Sequence, residues 1–203
     1  MNEIIISDKI SYLEATENPL SADIGIIRDG DMLWLYDVGN GEQNFRIPEG
    51  KCNVVLSHFH QDHIGNLEKV IIDTLYVSKE TYRHVQCGTI VREDIYLGNL
   101  HIFPLPSSHA KGCLGVEVDS TYAFVGDALY SKVKDNCYIY NAQLLKAEID
   151  VLKRLQAPWL LVSHHSGLVR KKEEAIAELE AIYKMRVKDE SEIKISNSFA
   201  TKF

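Results

Sequence analysis

The sequence predicts an α/β or α+β layered sandwich, with sheets inside and helices packed against them. Three observations carry this. Turn dipeptides join apolar, β-branched runs into hairpins; short helical segments fall between those strands; and a strand followed by an amphipathic helix closes the chain. At 203 residues, with a hydrophobic share of 45%, the chain is long enough to bury its own core, and it reads as a single domain over residues 1–203.

Taken in order, "IGII" and "MLWLY" flank "RDGD", whose Asp29-Gly30 is a hairpin signal. "CNVVLS" and "TLYVS" are further strands. "EDIYLGNLHIFPL" predicts a second hairpin turning at Gly98-Asn99, and "GVEVDSTYAFVGD" a third near Asp119-Ser120. A short helix is expected from Asn66 to about Ile72, and another in "SKETYRHVQ", where Ser78 is a capping residue. In "NAQLLKAEIDVLKRLQA", apolar residues at Leu144, Leu145, Ile149, Leu152 and Leu155 keep a helical period that stops before Pro158. "WLLV" is a last strand, and "KKEEAIAELEAIYKMRVK" a last helix with Ile176, Leu179 and Ile182 on one face. The tail "SEIKISNSFATKF" carries no assignable pattern.

Composition narrows the function classes. The net charge of −7, without a basic block, argues against nucleic acid or an anionic membrane as partner. No stretch reads as a signal peptide or is long enough to span a bilayer. The four cysteines (Cys52, Cys87, Cys113, Cys137) are scattered with no CxxC pair, as expected of free thiols in a cytoplasmic protein.

The stretch "SHFHQDHIGN" (Ser57 to Asn66) leaves the apolar run "NVVL" with three histidines and an aspartate in six positions. Ligands on a loop gripped by a strand on one side and a helix on the other can converge on one point. Imidazoles with a carboxylate suit zinc, and also iron or manganese. Taken singly, other candidates have plain readings. His109 reads as a loop histidine, Asp127 as a strand end or a cap near Ala128, and Asp37 as a turn residue before Gly39. His84 and His101 fit no motif and read as surface or satisfied histidines.

The stretch nevertheless matches HxHxDH and so resembles the metallo-β-lactamase superfamily. Four further segments resemble that family's motifs in its order: "DVGN" (Asp37 to Asn40), "PSSHAKGCLGVEV", "AFVGDALY" and "LLVSHHSG". The resemblance implies an αββα four-layer sandwich, two mixed β-sheets with helices outside and the site at one edge between them. It implies two divalent metal ions, zinc first and iron or manganese otherwise. One would be held by His58, His60 and His109, the other by Asp62, His63 and a final histidine. Asp127 would bridge the two, Asp62 and Asp127 would be the catalytic carboxylates, and Asp37 would stand behind the ligands and orient them. For the final histidine, taking Val162 as the strand end makes Ser163 and His164 spacers and His165 the ligand; a shorter register gives the role to His164. The first register is preferred.

The activity implied is hydrolysis of a small ester, thioester, lactone, amide or phosphoester by a hydroxide on the ions, whose parent water has its pKa lowered from 15.7 to roughly 7. The substrate is expected to be a small molecule, with no nucleic acid or membrane as partner; the oligomeric state is left open. A short segment after the last motif disfavours the glyoxalase II type, and no inserted domain points to the nuclease branch. His60 and the absence of a flavodoxin domain disfavour flavodiiron reductases. Two alternatives stand beside the hydrolase: a mononuclear iron-dependent oxygenase of the persulfide-dioxygenase type, and a non-catalytic, metal-stabilised binding protein.

Overall fold

The computed structural model describes residues 3–41, 47 and 49–196. Residues 197–203 of the unassigned tail lie outside the described residues. Two mixed sheets face each other. The seven-stranded sheet has the spatial order Ile4–Ile5, Ile10–Leu13, Ile24–Asp29, Met32–Tyr36, Cys52–Val55, Ile72–Val77, Thr89–Ile90. The six-stranded sheet runs Ile95–Leu97, Leu100–Leu105, Cys113–Val118, Tyr122–Gly126, Trp159–Val162, Val169–Lys171. Each sheet is parallel in one part and antiparallel in another. Met32–Tyr36, Cys52–Val55, Ile72–Val77 and Thr89–Ile90 run parallel, as do Tyr122–Gly126 and Trp159–Val162.

The layering follows from the two-residue period of a strand. Trp34 and Tyr36 enter one buried cluster while Leu35 between them enters another; Ile27 and Val55 join the first, Ile26 and Val54 the second. The six-stranded sheet does the same. Ile102, Leu114, Phe124 and Leu161 face Trp34 and Tyr36, whereas Phe103, Cys113, Val125 and Leu160 point the other way. Every central strand is therefore apolar on both faces. Three buried interfaces result, and three interfaces require four layers.

The helices cover the outer faces. Helices α1 (Gln61–Ile64) and α2 (Lys79–Val85) pack Ile64, Tyr82 and Val85 against the seven-stranded sheet. Helices α3 (Ala142–Arg154) and α4 (Lys172–Lys184) cover the six-stranded sheet with Leu145, Ile149, Leu152, Leu179 and Ile182. Asn141 caps α3 by accepting from the N–H groups of Gln143 and Leu144 at 3.1 and 3.0 Å, and Ser78 caps α2 by accepting from Thr81 at 3.0 Å. The hairpin turns lie where Gly30 and Gly98 take positive φ.

Two local expectations are corrected. The short helix predicted from Asn66 to Ile72 is instead α1, beginning at Gln61, then a single 3-10 turn at Leu67–Lys69, with Ile72 already in a strand. The tail forms the strand Glu192–Ser196, which pairs with Cys137–Asn141 and buries Ile193 and Ile195. No described helix is long and apolar enough to cross a membrane.

Candidate metal centre

The C-terminal ends of four strands deliver the site. Met32–Tyr36 ends before Asp37, Cys52–Val55 before His58, Tyr122–Gly126 before Asp127, and Trp159–Val162 before His164. The sheets touch here through Gly126, where a Cβ would fall 2.8 Å from Ser57 Cβ; the missing side chain lets the Asp127 loop close on the histidine loop. Helix α1 is too short to hold its own register. It is pinned by Ala22 N–H donating to Asp62 O and Val38 N–H to His63 O, both at 2.9 Å.

Two groups of donor atoms result, His58 with His60 and His109, and Asp62 with His63, Asp127 and His164. His60 Nδ1 lies 2.9 Å from His58 Nε2 and 3.0 Å from His109 Nε2. Those separations are close to the roughly 3.4 Å edge of a tetrahedron built on bonds of about 2.1 Å. In the second group His164 Nε2 is 3.1 Å from Asp62 Oδ2, and His63 Nε2 is 3.5 Å from the same oxygen. Asp127 Oδ2 sits between the groups, 3.4 Å from both His63 Nε2 and His109 Nε2. Buried Asp127 Oδ1 and His63 Nε2 have no hydrogen-bond partner among the described residues. Polar atoms buried without partners are costly and rare, and His63 Nε2 faces Asp127 Oδ2 and Asp62 Oδ2 within the cluster.

The electrostatics sort the same way. Burial, together with the neighbouring imidazoles, drives the His58 pKa far below its ordinary value, so the ring is neutral. Burial also lowers His60 and His109. His63 goes the other way: burial opposes its charge, but the carboxylates of Asp37 and Asp127 overcome this and hold it at about 10. Asp37 Oδ2 is 2.7 Å from His63 Nδ1, while its Oδ1 accepts from Ser57 N–H at 2.7 Å. That bond fixes the ring so that Nε2 faces inward. The His164 pKa is raised, first by its hydrogen bond to Asp62.

Of the two candidate final histidines, the geometry brings His164 to the donor atoms and not the preferred His165. Buried Asp23 accepts from His164 N–H at 2.8 Å and from Ser163 Oγ at 3.3 Å. His164 takes the left-handed conformation, φ 60°, and its ring turns onto Asp62. His165 points away into a cavity of about 640 Å³ that it shares with His109, Tyr130 and Arg170. Of the two histidines without a motif, His101 lies 3.2 Å from Glu117, and His84 stacks on Phe59. Sequence reasoning missed Asp23 and Tyr130, whose hydroxyl donates to Ser163 O at 2.8 Å; both act through bonds to residues far away in sequence.

No protein-family model matches the sequence, and no curated protein does. Solved structures do resemble it. The DIM-1 metallo-β-lactamase superposes with a TM-score of 0.68 at 11% identity, over 90% of this chain and 96% of that one. An archaeal metallo-β-lactamase superfamily protein from Sulfolobus tokodaii gives 0.60 at 16% identity, over 87% and 86%. The chemotaxis sensor ODP, solved as a peroxy diiron species, gives 0.67 at 14% identity, over 88% and 94%. Sheet order, layering and these superpositions agree: the chain has the metallo-β-lactamase fold.

Proposed function

We propose that this chain is a metal-dependent hydrolase of small molecules that works with two divalent cations. His58, His60 and His109 would hold one, Asp62, His63 and His164 the other, and Asp127 would contact both. The observation that carries this is Asp127 Oδ2, equidistant at 3.4 Å from a histidine nitrogen of each group, with its Oδ1 and His63 Nε2 buried and unpartnered. The donor set fits: imidazoles with carboxylates suit zinc, and also iron or manganese.

When bound, two such cations supply a hydroxide near neutral pH and polarise a carbonyl or phosphoryl oxygen. The chain's own residues do the rest. Asp37 orients His63, Asp23 holds the backbone that presents His164, and the proton on His63 must leave when a cation arrives, which makes affinity pH-dependent. Burial opposes the charge on Asp62, but its hydrogen bond to His164 overcomes this and keeps it a carboxylate at the second group, below its usual pKa. The cavity beside His109 has the size of a small-molecule site. A cytoplasmic location and the absence of nucleic-acid or membrane partners belong to the same proposal.

The test is elemental analysis of purified protein together with a screen of esters, thioesters, lactones and phosphoesters. Two ions per chain and metal-dependent turnover support the proposal. One iron per chain with oxygen consumption would move the chain to the mononuclear oxygenases, a reading that the fold alone admits. Full loading with no turnover of any class would leave a metal-stabilised binding protein.

A further inference from the structure

His109 lies at the meeting of two cavities of opposite character. On one side is the cavity of about 640 Å³, walled by Tyr130, Tyr138, Tyr140, Leu179 and Ile182, where the cation of Arg170 is neutralised by Glu178 at 2.7 Å. On the other is a cleft of about 340 Å³ that also reaches His60. Its rim carries Arg83, Lys111 and Lys132 against a single carboxylate, Glu80. That carboxylate is turned onto the backbone at Gly112, where a Cβ would fall 2.5 Å from Glu80 Oε2. None of the three cations is ion-paired among the described residues. In a chain of net charge −7, three unpaired cations around one mouth are a local reversal of sign.

Cations at the rim of a cleft raise the local concentration of anions and bind them through solvated contacts. The aromatic cavity gains by taking apolar area out of water. We propose that the substrate is an anion carried on an apolar body. Its apolar part occupies the tyrosine-walled cavity, its anionic group lies among Arg83, Lys111 and Lys132, and its hydrolysable bond spans His109 and His60. This rests on the hydrolase reading only for the bond. The reaction is a plain hydrolysis: the acyl carbon loses its oxygen or sulfur substituent, water's oxygen replaces it, and the departing alcohol or thiol takes a proton from water.

Binding and turnover test the two claims separately. The probes share one apolar body: 4-phenylbutanoate, 4-phenylbutylphosphonate and 4-phenylbutanol, titrated calorimetrically into metal-loaded protein. The anions should bind about tenfold more tightly than the alcohol, and the exposed-charge variant R83Q/K111Q/K132Q should erase most of that margin without changing alcohol affinity. Acetate and methylphosphonate, lacking the body, should bind at least about tenfold more weakly than their phenylbutyl counterparts. Whichever anion leads tells carboxylate from phosphoryl recognition. The proposal is overturned if the anion margin persists in the triple variant, since the cluster rather than the cleft then holds the anion. It is also overturned if wild type shows no margin or if the short anions bind as well. Absence of turnover of every ester, thioester, lactone and phosphoester that joins the phenylbutyl body to an anionic group, with the binding pattern intact, would remove the hydrolase reading and leave the recognition standing.

Discussion

Asp127 concentrates the demands of the site in one side chain, because its Oδ2 faces both donor groups while its Oδ1 has no partner. Asp127→Asn keeps the shape and removes the charge, so metal affinity and turnover should fall together, read by elemental analysis and initial rates. His164→Ala should lose one cation and His165→Ala should keep both, which the same stoichiometry measurement decides. The HxHxDH spacing made His58, His60, Asp62 and His63 legible in the sequence, since local spacing is itself a statement about position. The choice between His164 and His165 was not legible, because a left-handed residue held by a carboxylate 141 positions away leaves no local trace. Glu148 is another residue whose state is set by packing: it is fully buried in α3, with neither oxygen hydrogen-bonded among the described residues. Burial raises its pKa well above 4.5, so the folded chain keeps a proton that the unfolded chain releases. The stability this contributes is complete below pH 4.5 and is lost as pH rises from there through the folded-state value, by at most about 1.4 kcal/mol per pH unit. Denaturant titrations from pH 4 to 9 should therefore show Glu148→Gln matching wild type at the acid end and exceeding it at the alkaline end.

At the scale of elements, the hairpins were legible because turn chemistry is local: Gly30 and Gly98 sit at positive φ where the sequence placed turns. Helix α1 was not, since four residues carry no period and its register comes from the bonds of Ala22 and Val38. The strand Glu192–Ser196 does alternate, with Ile193 and Ile195 inward, but five residues near a chain end are too short for that alternation to stand out. The loop after Trp159–Val162 is tied down by Asp23, the residue just before the strand Ile24–Asp29 of the opposite sheet. Asp23→Ala would free His164 N–H and relax the left-handed turn. The affinity of the second group for zinc should drop about 10- to 100-fold while the His58–His60–His109 group is unaffected, as competition with a graded series of chelators would show.

On the scale of the whole molecule, the two sheets are successive in sequence. Every strand of the seven-stranded sheet lies before residue 91, and every strand of the six-stranded sheet between residues 95 and 171. The four-layer arrangement was legible only through the resemblance; the hairpin and helix pattern alone gave sheets with outer helices and no count of layers. The donor atoms divide along the same line. His58, His60, Asp62 and His63 come from the first sheet, His109, Asp127 and His164 from the second. Cations bound only by the folded chain should raise its unfolding free energy, by about 4 kcal/mol at a thousandfold excess over Kd, so chelation should lower the melting temperature. The join itself, Arg92 to Asp94, is solvent-exposed. A protease cut there would sever the chain without breaking either sheet, leaving two fragments that share an apolar face, with four of the donor residues on one and three on the other. Reassembly of such a split protein should then be switched by zinc: the fragments co-elute when the ion is present and drift apart when it is withdrawn, an intramolecular fold behaving as a metal-gated heterodimer.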